Sequence, residues 1–98
     1  MFFLTQKAKN DLKNIARYTE SEWGREQRNF YLKQIDESFQ LLSETPDIGL
    51  GCDYIREGYR KYRSGRHFVF YRLVGDEIEI VRVLHERMNV EAHLQVGE

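Results

Sequence analysis

The eight residues from Tyr59 to Arg66 hold four cations and two tyrosines, with Arg60, Lys61, Arg63 and Arg66 set around Tyr59 and Tyr62. Cations at this density can neutralise phosphates, and tyrosines among them can stack on bases. Side chains alternate along an extended strand. Tyr59, Lys61 and Arg63 then share one face and Arg60 and Tyr62 the other, so the cluster is divided. The same residues also fit a charged edge strand guarded against aggregation, or a docking site for an acidic partner. A second group lies in "RVLHER", with Arg82 mid-strand and His85 at the strand's end. A histidine beside arginines can serve as general base next to a phosphodiester while Arg stabilises the charged transition state. A histidine that finishes a strand with a local hydrogen bond is the plainer account.

Other chemistry is thinly supported. His67, His85 and His93, with Cys52, match no metal-ligand spacing such as paired CxxC or HExxH, so neither a metal nor a cofactor is expected. Cys52 has no base near it in sequence to make it a nucleophile. It is also the single cysteine, which excludes an internal disulfide and fits a reducing compartment.

The 98 residues suit one domain, 1–98, with 41% hydrophobic and 32% charged side chains. The net charge of -1 conceals a gradient. Residues 1–55 carry -2, residues 56–87 carry +3 and residues 88–98 carry -2. The total field is too weak for a general polyanion binder, so an anionic target would be met locally. No apolar run is long enough for a membrane span, and "MFFLTQKAKND" has no basic segment followed by a long apolar stretch. A cytoplasmic location, away from membranes, is the expectation.

The elements that must position these residues follow from periodicity. "FFLT" reads as a short edge strand. Ala8, Leu12, Ile15, Ala16, Thr19 and Trp23 form one helical stripe, with Thr5 as N-cap and Gly24 as terminator. A second helix is expected over 25–43, with Tyr31, Ile35, Phe39 and Leu42 on its stripe, widened by Phe30, Leu32 and Leu41. Thr45-Pro46 stops it. The short turn at Gly24 folds the pair into an antiparallel hairpin. "PDIGLGCD" reads as a loop. Strands are expected at 59–63, 67–74 and 78–85, joined by turns at Ser64-Gly65 and Gly75-Asp76-Glu77. The last two strands are apolar on both faces. One helical hairpin covers one face, so the other is expected to meet the chain's own tail or another protein. Asn89 is a candidate N-cap for a terminal turn.

Taken together, "AKNDLKNIARYTESEWG", "REQRNFYLKQI", "LLSETPDIG", "GYRKYRSGRHFVFYR" and "IVRVLHERM" resemble the ParE toxins of the RelE/ParE superfamily of bacterial toxin–antitoxin modules. The resemblance implies an α+β fold, with an N-terminal two-helix hairpin on a small antiparallel sheet of three to four strands. It implies a non-enzymatic protein that poisons DNA gyrase by trapping its cleaved-DNA complex. It also implies a ParD-type antitoxin that wraps the toxin and reaches operator DNA on its behalf. A homodimer or a toxin–antitoxin hetero-oligomer would be the assembled state. Under this resemblance the gyrase-facing residues are Arg60, Lys61, Arg63, Arg82, His85, Arg87 and Met88. The antitoxin-facing residues are Leu12, Ile15, Tyr31, Ile35, Tyr59, Tyr62, Arg66 and Phe70. The sister branch, RelE, cuts mRNA on the ribosome. In that alternative Arg63 and Arg82 would hold the scissile phosphate and His85 would act as acid or base. The chain has no tyrosine after Tyr71 and is nearly neutral, and both features favour ParE.

Overall fold

Thr5 closes one element and opens the next. Its N–H donates to the Ile80 carbonyl (3.1 Å), its hydroxyl donates to the Val81 carbonyl (2.7 Å), and its hydroxyl oxygen accepts from the Ala8 N–H (3.1 Å). A threonine N-cap contributes about 1 kcal/mol. Here it also fastens the helix to the sheet. The computed structural model describes residues 1–88. Its elements are β1 (Phe2–Leu4), α1 (Gln6–Trp23), α2 (Arg25–Glu44), a 3-10 turn (Pro46–Ile48), β2 (Leu50–Gly51), β3 (Arg60–Ser64), β4 (His67–Val74) and β5 (Glu77–His85). The Asn89 cap and the covering tail lie outside the described residues.

Both helices form where the apolar period places them. Ala8, Ile15 and Thr19 of α1, and Ile35, Phe39 and Leu42 of α2, are buried. Gly24 alone joins them, at φ 94°, with its N–H on the Glu20 carbonyl and its own carbonyl accepting from Arg28. Two expected stripe members are exposed. Phe30 points away from the core, and Trp23 sits at the far end of α1.

The five strands run in the order β1-β5-β4-β3-β2. β2 to β5 are antiparallel neighbours, while β1 pairs with β5 in parallel. The helical hairpin on a small sheet is as expected, but the sheet has five strands and is mixed. The extra strand, β2, is two residues long and leaves no alternation to read. The parallel pairing of β1 with β5 is permitted by the long chain between them, which holds both helices and β2 to β4. The turns are the pairs Gly65-Arg66, one residue later than expected, and Gly75-Asp76, where expected but without Glu77, which begins β5.

Helix-side burial gathers Val69, Tyr71, Ile78, Ile80 and Val83 under the hairpin. The opposite face, expected to meet the tail or another protein, is covered in part by a segment from the middle of the chain. Cys52, Ile55 and Tyr59, from the segment that follows β2, pack there on Phe70, Val81 and Leu84. Backbone bonds from Cys52 to Tyr59 (2.8 Å), Ile55 to Cys52 (2.9 Å) and Tyr59 to Arg56 (3.1 Å) hold that segment folded. Composition marks the segment as loop, and only its three apolar side chains show that it is also a lid on the core.

Candidate partner-binding cleft

A cleft of about 760 Å³ opens between α1, the start of α2 and the ends of β4 and β5. Its walls are Ile15, Tyr18 and Trp23 of α1 and Tyr31 of α2, with Arg66 and His67 from the β3–β4 turn. Val83, His85 and Met88 complete the other side. Trp23 is 70% exposed and Tyr18 66%, so two large aromatic side chains stand at its rim. Exposed apolar surface of this kind marks interaction sites.

Tyr31 organises the floor. Its hydroxyl oxygen accepts from the Arg66 N–H (2.9 Å) and lies 2.6 Å from His67 Nδ1 and 3.3 Å from the Ser64 carbonyl. Gly65, at φ 63°, lets the ring approach this closely, because a Cβ there would fall 2.6 Å from Tyr31 Cε1. His67 and His85 are direct partners in the β4–β5 register. Burial, then repulsion from His85, lowers the His67 pKa to about 4. His67 is therefore neutral near pH 7, and its Nδ1 is free to accept from Tyr31. Burial raises the pKa of Tyr31, which keeps its proton.

One wall is closed by Asp11. β1 pairs only with Ile78–Ile80, so the later half of β5 is a sheet edge. Asp11 covers that edge by accepting from the Val83 N–H (2.9 Å), Arg82 Nε (2.8 Å) and Arg82 Nη2 (2.9 Å). Both side chains are nearly buried, at 13% and 11% exposure. Bidentate geometry and a third donor are what make such a pair stable away from water.

The expected residues fall into three groups. Arg82 is engaged by Asp11, and Arg60 turns inward to the Gly49 carbonyl (2.8 Å). Lys61 and Arg63 lie on the sheet face away from the helices, over the ring of Phe68. His85 and Met88 line the cleft, and Arg87 beside them is exposed, its N–H on His85 Nδ1 (3.1 Å). The expected gyrase-facing set is thus spread over two faces. Of the expected antitoxin-facing set, Ile15, Tyr31 and Arg66 line the cleft. Leu12 borders a shallower groove between the helices, and Tyr62 is half-buried against the helix-side core. Ile35, Tyr59 and Phe70 are corrections: each is at most 1% exposed and so presents no side-chain surface to a partner.

Sequence reasoning did not single out Trp23, Tyr18, Asp11 or His67 as parts of one site. Tyr18 carried a usable signal, since it is a large aromatic off the α1 stripe. A two-residue turn alone would set His67 opposite Leu84; a register shift between Phe70 and Tyr71 brings it opposite His85, and no local pattern marks that shift. Among the described residues no cluster of three or more His, Cys, Asp or Glu side chains could hold a metal ion, and no helix is long and apolar enough to cross a membrane.

Helical hairpin, small sheet and aromatic-rimmed cleft define a small α+β protein with an open apolar cleft on its helix side. The family model described as the ParE toxin of the type II toxin–antitoxin system parDE matches residues 2–90, and the chain belongs to that family. Toxin ParE1 of Caulobacter vibrioides is 44% identical over 91 residues, covering 93% of this chain and 94% of the relative. Toxin ParE1 of Mycobacterium tuberculosis is 39% identical over 94 residues, covering 95% and 96%. A chain from the solved chromosomal ParDE toxin–antitoxin system of P. aeruginosa superposes with a TM-score of 0.75 at 24% identity, covering 86% of this chain and 92% of that one.

Proposed function

We propose that this chain is the toxin of a parDE module that inhibits DNA gyrase by stabilising its cleaved-DNA complex, without breaking bonds itself. The near full-length family match carries this reading. Such a poison works by binding the cleaved state more tightly than the others. A ParD-type antitoxin occupies the cleft, with apolar anchors against Tyr18 and Trp23 and an acidic contact at Arg66. It neutralises the toxin in the cytoplasm and carries it to operator DNA.

The geometry disfavours the ribonuclease alternative. The Arg82 guanidinium is held bidentately by Asp11. Arg63 pairs with Phe68 one residue out of phase with the His67–His85 pair, which sets it on the other sheet face from the cleft. No arrangement of Arg63, Arg82 and His85 around one phosphate follows from these positions.

The test is incubation of the purified chain with gyrase, supercoiled plasmid and ATP, quenched with detergent and protease. Linear DNA above the gyrase control, suppressed by the cognate antitoxin, is expected. Normal supercoiling with no linear product would overturn the gyrase reading.

A further inference from the structure

Two cations converge on one ring. Lys61 Nζ lies 5.1 Å and Arg63 Cζ 5.3 Å from the centroid of Phe68. They are two residues apart on β3 and so share a face. Their mutual repulsion is offset only in part by the ring's negative face. Arg63 pairs with Glu86 (2.5 Å), which also meets Arg66 (3.5 Å). Lys61 pairs with no carboxylate among the described residues, and its hydrogen bond is to the Tyr54 hydroxyl (3.4 Å). Tyr54 itself is 68% exposed. The surrounding charge is lopsided, since residues 56–66 hold five cations and a single acid, Glu57.

We propose that Lys61 and Arg63, which share a strand face and both reach the Phe68 ring, seat the sugar–phosphate backbone of DNA, with Tyr54 at the border as a stacking surface. A phosphodiester between the two cations relieves their repulsion and replaces Glu86 as the partner of Arg63. Tyr54 adds a flat, sequence-tolerant contact. The seat and the cleft lie on opposite sides of the sheet, and Glu86 links them by pairing with both Arg63 and Arg66. The gyrase reading explains only why DNA is close at hand. The seat is a property of this face.

The experiment is fluorescence anisotropy of a labelled DNA duplex with the full chain, titrated across salt. The Lys61→Ala/Arg63→Ala double variant is expected to bind about tenfold more weakly at about 100 mM salt, with a log–log salt slope shallower by about 1.8. Lys9→Ala/Lys33→Ala removes equal charge from the exposed helix surface and is expected to stay within about twofold of the unsubstituted chain. Glu86→Gln is expected to tighten binding. Lys61→Gln alone keeps a stem over Phe68 and stands in if the double variant does not fold. Equal weakening by the two double variants, or no binding by the unsubstituted chain at low salt, would overturn the seat. Linear DNA in the gyrase assay without duplex binding would remove the seat and leave the gyrase reading. Duplex binding without linear DNA would do the reverse.

Discussion

His67 and His85 face each other across the β4–β5 pair, ring edge to ring face, with centroids 5.2 Å apart. His67 is in addition tilted against Tyr31, at 5.5 Å. A proton on His67 is disfavoured by burial first and by the neighbouring imidazole next. The cleft floor is therefore sensitive to acid.

The pH dependence has a definite sign. Burial and the neighbouring His85 lower the His67 pKa from its ordinary 6.5 to about 4 in the folded chain, so the unfolded chain binds more protons between those values. Stability is full above about pH 6.5 and falls as pH drops towards about 4. Allowing for partial exposure of the ring, the loss is about 2 kcal/mol. Urea midpoints at pH 7 and pH 5 should separate more for the unsubstituted chain than for His67→Gln. Parallel shifts in the two proteins would count against the histidine.

Asp11→Ala removes the carboxylate that accepts from Arg82 Nε and Nη2 in a site 13% exposed, and it leaves the Val83 N–H without its acceptor. The expected cost is about 2–4 kcal/mol. Arg82→Met in the same background should recover part of it, and a double-mutant cycle by chemical denaturation measures the coupling. Strict additivity would show that the two residues do not act as a pair.

Gly65→Ala combines a strained backbone with a Cβ 2.6 Å from Tyr31. A loss of about 2 kcal/mol is expected from thermal or urea unfolding. Tyr31→Leu shortens the opposing side chain, so Gly65→Ala should cost less in that background.

Trp23 is the chain's one tryptophan and stands exposed on the cleft rim, which makes it a built-in reporter. Antitoxin binding should shift its emission to the blue. Trp23→Ala should weaken the complex by about 2 kcal/mol or more, in keeping with a buried aromatic anchor. Unchanged emission in the complex would place the antitoxin elsewhere.

The helices were legible because their apolar stripes repeat with the helical period and Thr5 and Gly24 mark the ends. The β3–β5 meander was legible from alternation and glycine turns. Two features were not. β2 is too short to carry a pattern, and the packing of Cys52, Ile55 and Tyr59 onto Phe70 depends on contacts between distant segments. The site was half legible for the same reason. Local spacing marks Arg60, Lys61, Arg63 and Arg82 as cations, but whether each faces solvent or an internal partner is decided by Gly49, Phe68 and Asp11, which no local pattern links to them.

Phe2 pairs with Ile78, so residues at the two ends of the described chain complete the same sheet. While the protein is being synthesised, the helical hairpin is made long before the strand it must rest on. Until Glu77–His85 has emerged, Ala8, Ile15, Ile35 and Phe39 lack their cover, and β1 has nothing to pair with. Closing so long a loop is slow compared with forming the hairpin itself. The nascent chain thus passes through an interval with its apolar helix faces open.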